Sequence, residues 1–273
     1  MFGLKKAPRV WYARLDRYLH QQGFKKGTVD SNLYVQIDND NLTIVEVYVD
    51  DIIFGTNYDR LSKYFSTNMQ SEFEMSLLGE LTYFLGLQIS QQEKGIFICQ
   101  AKHIKEMLKK FKMEDCKHIL TSMVTGCKLS IDNASKDVDQ RLYRYKIGSI
   151  LYVTASRLDV MQVVGQVARF QAAPKESHII SIKRILRYLK GTTEYGLWYP
   201  KGNNLIIQAF RDADWAGSID DRKSTSGGEF YLGGCLISWL SKKKISISLS
   251  TTEAEYILVA ACCTQILWMK QNL

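Results

Sequence analysis

No stretch of the sequence reaches the run of about 18 apolar residues that an α-helix needs to cross a bilayer, so a membrane span is not expected. The first residues, MFGLKKAPR, carry no apolar h-region, and a secretory signal is not expected either. The six cysteines (Cys99, Cys116, Cys127, Cys235, Cys262 and Cys263) include no C-x-x-C pair and no histidine at zinc spacing. That argues against a disulfide scaffold or a structural zinc site, and for reduced thiols in a cytoplasmic or nuclear setting. Internal repeats and low-complexity tracts are also missing. What is there is ordinary for a folded chain: 273 residues, 46% hydrophobic and 23% charged, too apolar for disorder. The length suits about two domains, or one large one.

The net charge of +8 is unevenly placed. Residues 1–125 hold 16 Lys and Arg against 15 Asp and Glu, residues 126–203 hold 13 against 6, and residues 204–273 hold 7 against 7. A basic block between two neutral ones suits a polyanion-facing surface; it equally suits a solvated face.

Residues 8–23 predict a helix, with Pro8 in its first turn, Gly23 at its C-cap, and Val10, Trp11, Leu15, Tyr18 and Leu19 at helical spacing. Residues 32–37 predict a strand. NLTIVEVYV and IIFGT, β-branched runs joined at Asp50-Asp51, predict a β-hairpin. Helices are expected over 59–70 and 101–112, with the strands LTYFLGLQIS and GIFIC between them. The polar, turn-prone stretch 126–141 marks a first boundary. Residues 142–170 and 176–190 predict two helices. In the second, Ile179, Ile182, Ile185, Leu186 and Leu189 form an apolar stripe flanked by Lys183, Arg184, Arg187 and Lys190. KGNN at 201–204 marks a second boundary. LIIQAFR, GGEFYLG and CLISWLS follow as strands, and a last helix starts near Thr251 with Ser250 or Thr251 as N-cap.

Two acidic groups stand out. A hairpin tip normally takes Asn-Gly or Asp-Gly, whereas Tyr48-Val49-Asp50-Asp51 has no glycine and sets two like charges side by side. A divalent cation would remove that repulsion, since Mg²⁺ takes one or two carboxylates plus substrate phosphates; a solvent-exposed acidic turn is the other reading. Asp212 and Asp214 end a strand, and Glu253 and Glu255 open the final helix. The helix macrodipole alone favours acids there. A strand-end Asp and a helix-start Glu could also meet at one sheet edge, as a metal-dependent nuclease requires.

These residues carry a resemblance. VEVYVDDIIFGT resembles the catalytic hairpin of reverse transcriptases. MFGLKKAPRVWYARL, LGELTYFLGLQI, IGSILYVTASRLDV and VARFQAAPKESH with IKRILRYLKGT are similar, in order, to motifs of the Pol polyprotein of copia-type LTR retrotransposons, in wording like that of plant elements. DADWAGSIDDRKSTSGG and SLSTTEAEY resemble the start of that family's ribonuclease H domain. The resemblance runs along essentially the whole chain. It implies an α+β fold: a partial reverse-transcriptase palm and thumb (1–125), a basic helical connection (126–203), and the N-terminal part of a ribonuclease H-like sheet and helix (204–273). It implies RNA-directed DNA polymerase and ribonuclease H chemistry with Mg²⁺ or Mn²⁺, and RNA template, DNA primer and RNA/DNA hybrid as partners. Asp50 and Asp51 match the paired metal-binding aspartates, Asp212 the first ribonuclease H acid, and Glu255 the helix acid, with Glu253 as alternative. Lys183, Arg184, Arg187 and Lys190 become candidate nucleic-acid contacts. Lys5, Lys6 and Arg9 fall in a motif near the incoming nucleotide.

The sequence also departs from the family pattern. It opens at the motif before the first palm strands and closes after the first ribonuclease H helix, so each acid set is expected to be partial and inactive alone. A non-catalytic nucleic-acid-binding remnant and a co-opted interaction protein are the alternatives, and uncovered sheet edges favour self-association. Arg211 stands where the family usually has a small hydroxyl residue, Leu158 where it has Pro, and Lys6 where it has Gln.

Overall fold

The computed structural model describes residues 7–202 and 204–272. They form a mixed architecture of helices and antiparallel sheets, as an α+β class requires. The chain divides into two compact units. One covers the N-terminal part through Gly79, with the last residues of the final helix grouped to it; the other runs from Glu80 to Ile266.

The first unit contains α1 (Ala7–Gln21), β1 (Lys25–Lys26), β2 (Leu33–Asp38), β3 (Asn41–Tyr48), β4 (Asp51–Thr56) and α2 (Asp59–Glu72). The strands make an antiparallel meander in chain order. Strand alternation sorts β3 into two sets: Thr43, Val45 and Val47 are buried, while Ile44 and Tyr48 are exposed. Val45, Val47 and Tyr34 pack against Leu15 and Leu19 of α1 and Phe65 and Met69 of α2, so both helices cover the same sheet face. Gly23, at φ +88°, ends α1 in the left-handed conformation that glycine adopts without a Cβ penalty.

The second unit contains β5 (Tyr83–Phe84), β6 (Leu87–Gln92), β7 (Gly95–Cys99), α3 (Ala101–Lys110), α4 (Gln140–Val153), α5 (Leu158–Ala168), α6 (Glu176–Gly191), β8 (Gly196–Pro200), β9 (Ile207–Ala213), β10 (Thr225–Leu232), β11 (Cys235–Lys243) and most of α7 (Thr251–Asn272). Its core is helical. Ile104 and Leu108, Ile147 and Ile150, Val160 and Val164, and Ile182 and Leu186 meet from α3, α4, α5 and α6. The apolar stripe expected for α6 is the buried one. Strands β9, β10 and β11 form their own sheet, in the order β11-β10-β9. It is fastened to the helices by Trp239, whose Nε1–H donates to the Thr154 carbonyl at 3.0 Å.

Three features differ from the sequence expectation. The helix expected over 142–170 is two helices, α4 and α5, broken at Thr154–Arg157. The cause is Arg157, whose backbone leaves the helical conformation (φ −128°, ψ 83°) and which sends its guanidinium into the interior. The strand β8 was not expected; it pairs with β7 about a hundred residues earlier, Cys99 opposite Gly196. That pairing joins segments on both sides of the polar stretch 126–141 into one sheet. The hairpin turn is Val49-Asp50, because Asp51 already opens β4 opposite Tyr48.

Candidate active sites

At the tip of the β3–β4 hairpin, Asp50 and Asp51 are both exposed. Among the described residues neither carboxylate has an ion-pair or hydrogen-bond partner. Val49 holds φ +56° and Asp50 does not share the positive sign, so valine stands at a hairpin-turn position where glycine is usual. A β-branched residue in that region is a genuine outlier. On the same face as Asp51 lies Glu46, opposite Ile53 in the ladder. Burial, with a smaller contribution from Asp30, raises the Glu46 carboxyl above its ordinary range. The sequence reading did not single out Glu46; its only signal is an acid at an outward position of an apolar strand.

The second acidic group lies in the other unit. Asp212 is exposed on β9, opposite Gly227. Glu255, in the first turns of α7, reaches the two residues flanking Asp212. Its Oε2 accepts from Arg211 Nη1 at 2.8 Å and its Oε1 accepts from the Ala213 N–H at 3.1 Å. Glu253 is engaged in the helix start: its Oε2 accepts from the Leu249 N–H at 2.6 Å while its own N–H donates to Ser250 Oγ at 3.1 Å. Ser250 is therefore the N-cap, and only Glu255 is turned to β9. Asp214 organises the loop after β9, accepting from the Thr225 N–H at 2.5 Å. Trp215 Nε1–H donates to the Ser248 carbonyl at 3.0 Å, tying that loop to the segment before α7. Among the described residues, no group of three or more His, Cys, Asp or Glu converges on a metal-sized site.

The basic face of α6 is largely turned to the chain itself. Arg184 Nη2 donates to Thr121 Oγ1, Arg187 Nε to the Lys117 carbonyl and Lys190 Nζ to the Cys116 carbonyl, each at 2.7 Å. Lys183 is exposed. Arg9 is exposed near the start of α1, and Lys5 and Lys6 lie outside the described residues.

The sequence reading also missed a buried cluster behind the second site. Arg157, 1% exposed, forks onto Asp159 at 2.8 and 2.6 Å and donates to the Thr192 carbonyl and Oγ1, both at 2.7 Å. Tyr188 O–H donates to the same Asp159 at 2.7 Å. Burial, then that hydrogen bond, pushes the Tyr188 hydroxyl up to about 12. The run Ser156-Arg157-Leu158-Asp159 thus pins the start of α5 to the end of α6. Leu158 occupies the first helical position, where the family's proline is also well suited, so this departure leaves the helix start intact. No helix among the described residues is long and apolar enough to cross a membrane.

Residues 1–125 match the family described as reverse transcriptase (RNA-dependent DNA polymerase). Over 98% of its length the chain is 38% identical to the retrovirus-related Pol polyprotein from transposon RE1 of Arabidopsis thaliana, covering 18% of that protein. It is 34% identical, over all of its length and 21% of the relative's, to the corresponding polyprotein from transposon TNT 1-94 of Nicotiana tabacum. An uncharacterized mitochondrial protein of Arabidopsis thaliana is 35% identical over 81% of the chain and 92% of its own length. The chain spans 18 to 21% of the length of these transposon polyproteins. No solved structure matches it.

Proposed function

Because the chain belongs to the reverse transcriptases of retrotransposon Pol polyproteins, we propose that its β3–β4 hairpin is the metal-holding part of an RNA-directed DNA polymerase centre. In this reading β1–β4 with α1 and α2 are palm, the remainder to residue 125 leads into the thumb, and the helices of 126–203 form a connection to a ribonuclease H-like part at 204–273. The partners are an RNA template, a DNA primer and their hybrid.

One observation carries the reading. Two adjacent, exposed carboxylates without a partner among the described residues sit on a turn held in a conformation its valine disfavours. Such strain costs on the order of 1–3 kcal/mol and persists where the surroundings enforce it, commonly at reactive sites. Asp50 and Asp51 would hold Mg²⁺ or Mn²⁺, which when bound neutralises charge on a transferring phosphoryl group and orients its oxygens. Their exposure leaves room for substrate phosphates, which such an ion needs when the protein offers only two acids. The ladder from Thr43–Thr56 to Tyr48–Asp51 fixes Asp51 against the sheet while Asp50 stays in the turn. The reaction joins a primer 3′-hydroxyl to the α-phosphorus of a nucleotide and releases pyrophosphate. No third acid joins this pair among the described residues. A set that acts as a unit collapses when a member is missing, so these residues by themselves are expected not to extend a primer.

The test is a Mn²⁺ titration of the ¹⁵N-labelled chain with primer–template and nucleotide present, followed by NMR line broadening. Broadening centred on residues 48–52, absent in Asp50→Ala/Asp51→Ala, is the expected result. Broadening that ignores the double substitution would sink the assignment. Primer extension by the chain alone, abolished in the same variant, would keep the assignment and overturn the expected inactivity.

A further inference from the structure

The two acidic sites differ in one respect that bears on function. Among the described residues Asp50 and Asp51 have no internal counter-charge, whereas Glu255 has one. We infer that the Arg211 guanidinium occupies the place of a divalent cation at Glu255, so that the edge of β9 holds an internal ion pair and takes up no metal. This rests on the ribonuclease H-like reading of residues 204–273.

Both oxygens of Glu255 are already satisfied, one by Arg211 Nη1 at 2.8 Å and the other by the Ala213 N–H at 3.1 Å. Arg211 is held a second time, by the Glu255 backbone carbonyl at 3.2 Å. A charge-assisted hydrogen bond of this kind is stronger than a neutral one, and an arriving cation would have to displace it. The guanidinium stays charged at every accessible pH and repels any second cation at that distance. Strand alternation adds a geometric obstacle. Arg211 and Ala213 lie on one face of β9 and Asp212 on the other. Asp212 lines a cavity of about 720 Å³ with Asp214, Arg157 and Tyr195. The residue that meets Glu255 is therefore Arg211, not Asp212. The acids present do not fit a metal as they stand, and the residue responsible is the one at which the sequence departs from the family's small hydroxyl.

The pair is half-exposed, so its importance is positional and not a matter of large stabilisation. The experiment uses the whole chain with Asp50→Asn/Asp51→Asn throughout, which silences the hairpin, and measures Mn²⁺ binding by water-proton relaxation. In that background Arg211→Ser is expected to gain a Mn²⁺ site at least tenfold tighter than any in the parent. The site should vanish on adding Glu255→Gln, while Asp212→Asn, on the other face of β9, should leave it in place. Arg211→Lys, which keeps the charge, is expected to gain none. A parent that already binds Mn²⁺ through Glu255 overturns the inference and leaves the ribonuclease H-like reading standing. A urea-unfolding double-mutant cycle on Arg211→Ser and Glu255→Gln separates the remaining cases. No coupling means that the pair does not form and the inference falls alone. Measurable coupling without a new Mn²⁺ site in folded Arg211→Ser means that Glu255 never belonged to a metal centre, and the ribonuclease H-like reading falls with the inference.

Discussion

Val49 shows how one residue can be set against its own preference. Glycine takes φ +56° freely, while for valine the left-handed conformation costs roughly 1–2 kcal/mol. Val49→Gly should relieve that strain, less about 0.5–1 kcal/mol for the added freedom of the unfolded chain. The expected net is about 0–1.5 kcal/mol of stabilisation, read as a higher urea midpoint. The same change loosens the turn that carries Asp50 and Asp51, so Mn²⁺ affinity at the hairpin should fall as stability rises. A variant gaining on both counts would show that the strain has no part in positioning the acids. The Asp50-Asp51 pair is legible in the sequence because two acids in a β-branched run are unusual. The strained residue is not, since valine's own propensity argues against a turn. Glu253 and Glu255 are likewise equivalent as letters, and they separate only once Ser250 is seen to recruit Glu253 to the cap.

At the scale of elements, the junction of α4, α5 and α6 depends on a buried charge. Arg157 is surrounded by Asp159, Thr192 and the rings of Tyr188 and Tyr195, at 5.8 and 5.3 Å from the guanidinium carbon. Removing one partner of such a pair costs on the order of 3–5 kcal/mol, because the other charge is left buried. Burial works to raise the Asp159 carboxyl, but hydrogen bonds from Arg157 and Tyr188 outweigh it and hold the group below its ordinary value. A carboxyl with a depressed folded value contributes stability that is fully present above the unfolded range, near 4, and disappears as pH falls through the lower folded value. Urea midpoints for the parent and Asp159→Asn should therefore differ by a constant amount above the unfolded range and converge as pH falls below it. A gap independent of pH would place the stabilising charge elsewhere. The apolar periodicity of residues 142–170 shows the helices themselves. The break between them is hidden, because Arg157 reads as an ordinary exposed cation until its partners, as much as 35 residues away, are brought to it.

For the molecule as a whole, the excess charge of the middle third has two uses. Arg184, Arg187 and Lys190 bind the segment 116–121 onto α6, and Lys183 is left to solvent. Arg184→Ala should lower stability by about 0.5–1.5 kcal/mol, the net worth of one hydrogen bond whose exposed partner, Thr121, is taken over by water. Lys183→Ala should leave stability unchanged but make hybrid binding less salt-dependent, by up to about 0.9 in the slope of log K against log salt for each phosphate the lysine had neutralised. Filter binding at several salt concentrations, beside urea melts, checks both. An affinity that does not change with salt would remove the polyanion surface from the account.

The α+β class, the helices and most strands, the family and the aspartates of the hairpin are all readable in the order of the amino acids. Those features are written in local periodicity and short motifs, which survive without knowledge of distant neighbours. That β8 closes a sheet with β7, that Arg157 breaks a helix, and that Glu255 faces Arg211 rather than Asp212 emerge only when the chain is folded. Each of these depends on a partner 35 to about 100 residues away or on which face of a strand a side chain takes, and neither is encoded in neighbouring residues alone.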